Sequence, residues 1–265
     1  MHFSDHFRAL ASYIRLNSPE GTQLITRTIQ TPESLDYKAI KALLLNCWSA
    51  EYALRITPVV NDEQYLQSSL HWTFPQAYYS VLFSSRAFLA AMGNNISNEN
   101  NIGRAVGNLI ATEYYPHSLS FYAYGQNRIT VTRTSNHGLV RIMRITRQRE
   151  LKKNMCSPHN GPIGRTTFFN LMSRLRISST DRDIEKMVNL DEFNVREFHA
   201  DLMDIVAHIN SVHECYVAQV LGIDMYRELM DKLPSYLRES FVSERLNTVV
   251  VPNVWDLQAS QTEPF

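Results

Sequence analysis

The chain has 265 residues, 44% of them hydrophobic, enough for one large domain or a domain with an elaborated insertion. Its 26 Lys and Arg balance its 26 Asp and Glu, which argues against a chain that coats nucleic acid or membrane along its whole length. The apolar run near 81–92 is broken by Ser84, Ser85 and Arg86, so no bilayer-spanning helix is expected.

Phe7, Leu10, Ala11 and Ile14 recur at helical spacing and predict a first helix over 4–16, stopped by Asn17-Ser18-Pro19. Thr31-Pro32-Glu33 reads as the start of a second helix running to about Arg55. Asn61-Asp62-Glu63 opens a third over 63–69. Thr73-Phe74-Pro75-Gln76 then carries the signs of a fresh start, with Thr73 as cap and Pro75 in the first turn. The helix it opens ends at Gly93 and is apolar on nearly every side, so it should be central and buried. A polar loop over 93–104 and a short helix over 105–111 follow.

After Pro116 the period changes from helical to alternating. Segments 119–124, 128–134 and 139–145 read as three antiparallel strands joined by Gly125-Gln126-Asn127 and Ser135-Asn136-His137-Gly138. Helical patterns return over 166–175, 181–190, 195–221, 224–233 and 234–246. In 195–221, Phe198, Leu202, Ile205, Ile209, Val212, Tyr216 and Val220 form a bundle seam. The end, from 248, starts as a strand and finishes as a tail. The expected fold is therefore mainly α, a helical bundle with a small three-stranded β insertion. Its parts are 1–115, the insertion 116–165, 166–247 and 248–265.

Charge is distributed unevenly. Residues 1–115 carry eight Lys/Arg and nine acids, 116–179 carry eleven Lys/Arg and one acid, and 180–265 carry seven Lys/Arg and sixteen acids. Neutralising phosphates releases counterions, so a basic segment of this density is a candidate polyanion surface. Its residues are Arg128, Arg133, Arg141, Arg144, Arg147, Arg149, Lys152, Lys153 and Arg165, with Phe121, Tyr122 and Tyr124 near enough to stack on bases. The competing reading pairs this segment with the acidic last third, within the chain or between chains.

Ala50-Glu51-Tyr52, Ala77-Tyr78-Tyr79 and Ser85-Arg86-Ala87-Phe88-Leu89 resemble the packing pattern of HEPN-type helical domains over about a sixth of the chain. The resemblance implies an up-and-down bundle and a place in a prokaryotic or phage system, antiviral or toxin-like. Active members cleave RNA with an arginine followed, after four to six residues, by a histidine. That spacing is missing here; Arg133 and His137 have three residues between them. The expected role is a nucleic-acid-associated component in the cytoplasm. The alternatives are a metal-independent ribonuclease using Arg133 and His137, or a non-catalytic subunit that binds a protein partner or another copy of itself.

Other candidates are weaker. Asp201, Asp204 and His208 share one stripe of the 195–221 helix and could hold a metal or form an acid–base pair, although a solvated face explains them better. His199, Asn210 and His213 form a second stripe, read as satisfied, half-buried polar groups. Cys156 and His159 are one short-spaced pair where a zinc site needs two, and no phosphate loop or nucleophile elbow occurs, so neither metal nor cofactor is expected. The wide spacing of Cys47, Cys156 and Cys215 fits reduced thiols, and the first residues lack a secretory-signal pattern. Arg86 is the only charged residue between Gln64 and Asn98, which predicts a buried pair with Glu51 or Asp204, or an anion pocket.

Overall fold

The structure, a computed structural model, describes residues 3–18, 23–124, 144–147, 167–179, 183–189 and 193–255. It is a helical bundle. In chain order the elements are α1 (Phe3–Asn17), α2 (Tyr37–Ile56), a 3-10 turn (Thr57–Val59), α3 (Glu63–Ala91) and α4 (Glu99–Ala111). Strands β1 (Phe121–Tyr124) and β2 (Arg144–Arg147) follow, then α5 (Phe168–Ser178), α6 (Asp183–Val188) and α7 (Val195–Leu221). The short helices α8 (Ile223–Asp231), α9 (Ser235–Arg238) and α10 (Phe241–Arg245) lead into a π turn (Leu246–Val250).

The centre is α3, packed between α2 and α7. Leu66, Leu70, Phe74, Ala77, Val81 and Phe88 lie on its inner side and are wholly buried. The two helices expected over 63–69 and 73–93 are one. Asp62 caps it by accepting from the Tyr65 amide at 2.7 Å, and Thr73, expected as a cap, is buried with its hydroxyl 3.4 Å from Ser69 Oγ. Pro75 sits inside the helix, where it cannot bond the His71 carbonyl. Continuous burial of Leu66, Leu70 and Phe74 against the core outweighs that break, an instance of packing overriding local propensity. At its far end Gly93 takes φ +82°, and the Gly93 and Asn94 amides return to the Ala90 and Leu89 carbonyls.

Caps set the other boundaries. Asp36, and not Thr31, caps α2 through the Ala39 amide, and Asn98 starts α4 inside the expected loop. Thr167 and Asn194 cap α5 and α7; the latter keeps the bounds its seam predicts, with every seam residue buried. The strand expected from 248 is helical instead: Val250 and Val254 are buried while Pro252, which a strand would place on the same side, is exposed.

The expected three-stranded insertion is not seen. The β structure among the described residues is a single antiparallel pair, with Phe121 opposite Arg147 and Tyr124 opposite Arg144. Leu119 and Ser120, read as the first strand's start, instead turn back so that both amides donate to the Pro116 carbonyl, at 2.9 and 2.8 Å. The expected strand 128–134 and most of 139–145 lie outside the described residues. Among the described residues no helix is long and apolar enough to cross a membrane.

Candidate functional site

Most of the predicted site residues fall outside the described part: Arg128, Arg133, His137, Arg141, Arg149, Lys152, Lys153 and Arg165. Arg144 and Arg147 begin and end β2, which pairs with β1, the described element that precedes the basic segment. Its root is firmly held. Phe121 is fully buried and meets the Tyr13 ring edge-on at 5.3 Å, while Tyr13 Oη donates to the His117 carbonyl at 3.2 Å.

Beside that root, α1 and α7 assemble the polar stripe anticipated on the long helix. Arg15 of α1 reaches Asp201 Oδ1 at 2.8 Å and, through Nε, Asp204 Oδ2 at 2.9 Å. One turn on, His208 Nε2 lies 2.7 Å from Ser118 Oγ and 3.3 Å from Ser18 Oγ. Burial lowers the His208 pKa to about 4, so the ring is neutral at pH 7. These are the residue types of a serine–histidine–carboxylate relay, but not its geometry: Arg15 engages Asp204, and Ser118 is wholly buried, so no substrate reaches its hydroxyl. The stripe is an anchor that ties α1 and the 115–120 turn to α7.

A second constellation lies inside the bundle and was not foreseen. Arg245 of α10 donates to both Glu51 oxygens and, at 2.6 Å, to Glu214 Oε1. Arg55 adds a forked contact to Glu51 at 2.7 and 2.9 Å, and Asn210 Nδ2 donates to the same carboxylate at 2.7 Å. Tyr226 Oη donates to Glu214 at 3.3 Å, and the Phe241 ring lies under both guanidinium groups. Burial pushes the Glu51 carboxyl up, but Arg245, Arg55 and Asn210 together bring it below the ordinary carboxylate range. For Glu214 burial prevails and the pKa is raised, because Arg245 offsets it only in part and Glu51 repels it. The signal was in the sequence: Glu51 and Glu214 both stand at core phase in apolar helices, and each needs a buried cation. What it did not reveal was the cation, 194 residues from Glu51.

Arg86 has neither expected partner, since Glu51 serves Arg245 and Arg55 while Asp204 serves Arg15. Its side chain is half-buried, and Nε is buried without a hydrogen bond among the described residues. In the second α7 stripe, His213 is fully buried between Ser84 Oγ and Tyr115 Oη, each at 2.9 Å, and stacks on Phe88. Burial takes its pKa down to about 3. No cluster of three or more His, Cys, Asp or Glu suited to a metal occurs among the described residues. Comparison of the chain with protein-family models, curated proteins and solved structures gives no match.

Proposed function

We propose that this protein is a nucleic-acid-associated component of a prokaryotic or phage system, with a HEPN-like helical part, and that it meets a polyanion through residues 128–153. The observation that carries the reading is charge density: eight Lys/Arg and one acid, Glu150, in that segment. The packed root at Phe121 and Tyr13 supports it, because it ties the chain just before the basic segment to the bundle. The prokaryotic setting comes from the family resemblance.

With about half of the eight cations touching phosphates, duplex binding should show a log–log salt slope of roughly −4, shallower for a single strand. Changing Arg141, Arg144, Arg147 and Arg149 together to Ala should weaken binding alike on all sequences and flatten the slope, read by fluorescence anisotropy across a salt series. The second reading is docking onto an acidic protein surface, favoured by the sixteen acids of 180–265. It requires no measurable nucleic-acid affinity near physiological salt, and an assembly on a sizing column that the same four changes break.

A further inference from the structure

Helix α3 has an outer as well as an inner face. Tyr65, Trp72 and Tyr79 recur every seven residues along it and are 37%, 45% and 39% exposed. Arg86 continues the spacing, so the four positions form one stripe with a step of roughly 10 Å between them. The rings lie along the surface, Tyr65 against Trp72 at 6.4 Å and Tyr79 stacked on Phe83 at 6.0 Å. Beyond Tyr65 the patch continues into Ile56, Val59 and Val60, all exposed at the turn between α2 and α3. An apolar patch of this extent marks an interaction surface.

We propose that this face is a homodimer interface in which α3 of one copy packs antiparallel on α3 of the other. The equal spacing makes the stripe complementary to itself: turned end for end, Trp72 meets Tyr79 and Tyr65 meets Arg86. A two-fold axis between Trp72 and Tyr79 therefore satisfies both copies at once, as an isologous interface requires. Charge fits the same alignment. The exposed Asp62 caps α3 three residues before Tyr65, within one turn of the position opposite Arg86, whose Nε is buried without a hydrogen bond among the described residues. Parallel packing would instead set the two Arg86 side chains together. The three rings leave about 250 Å² exposed per copy, and with the apolar turn the total falls near the lower edge of a specific interface, so the dimer should be weak, with Kd on the order of micromolar.

Sedimentation equilibrium of the full chain from about 1 to about 100 µM tests this. The wild type should shift from monomer to dimer across the range. Trp72→Lys, at an exposed position, should stay monomeric with an unchanged circular dichroism spectrum. Asp62→Asn, which keeps the cap on the Tyr65 amide, should weaken the dimer several-fold at low salt and much less at high salt. A monomer at the top concentration overturns the proposal, as does a dimer that Trp72→Lys leaves intact. A dimer that depends on Trp72 but ignores Asp62→Asn overturns the antiparallel alignment. The four-arginine variant of the basic segment should dimerise like the wild type, which separates this interface from the polyanion surface.

Discussion

Two arginines in this fold each hold a pair of carboxylates, one pair inside the bundle and one at its edge. Arg245, Glu51 and Glu214 are at most 5% exposed. Arg15 and Asp204 are about half exposed, and only Asp201, at 3%, is out of water. The chemistry is the same and the solvent is not. In the interior each charge has lost its hydration and depends on the others for compensation. At the edge water screens the pair and shares the solvation. The same type of contact should therefore be decisive in one place and modest in the other.

Arg245→Ala is the strongest way to break the comparison. It leaves buried Glu214 without its cation and Glu51 with Arg55 and Asn210 alone, and should cost about 3–5 kcal/mol, read from denaturant unfolding. The triple change Glu51→Gln, Glu214→Gln and Arg245→Met removes every charge of that set but Arg55, and should cost much less. A single change no worse than the triple would mean the buried charges are not mutually dependent.

This contrast also explains what the sequence disclosed. The long helix α7 was legible to its ends because a seven-residue seam at helical spacing is a local signal. The continuity of α3 was not, since Thr73 and Pro75 carry every local sign of a new start and the packing of Leu66, Leu70 and Phe74 overrides them. The stripe Asp201, Asp204 and His208 was visible as a pattern, but Arg15, nearly 190 residues away, was not. Arg86 drew attention for its isolation, and the partners proposed for it proved to belong to other arginines. Periodicity reports which face is buried; it does not report which distant charge meets another.

Acid is the next lever, because α7 also carries uncharged titratable groups inside. Below about pH 6.5 the unfolded chain takes up protons that folded His213 and His208 refuse, their pKa values being about 3 and about 4. Stability is therefore complete above that pH and falls as pH drops, by about 1.4 kcal/mol per pH unit for each histidine. Between pH 7 and pH 5 the two together should cost about 4 kcal/mol. His213→Gln should remove about half of that slope, whatever it does to stability at pH 7. An unchanged slope would mean that other groups titrate in that range.

The smallest expected effect belongs to the edge. Arg15→Ala removes a forked contact to Asp204 and a 2.8 Å contact to Asp201. The loss to half-exposed Asp204 is nearly free, because water replaces the guanidinium. Asp201 is different: burial already raises its pKa despite Arg15, so without the arginine its charge is less well compensated. The net cost should be about 1 kcal/mol at low salt and smaller at high salt, where the Debye length shortens. Asp201→Asn in the Arg15→Ala background should recover part of it, since a neutral amide needs no counter-charge. A loss as large as that of Arg245→Ala, insensitive to salt, would show that the edge is as dry as the interior and that the two carboxylate pairs are equivalent.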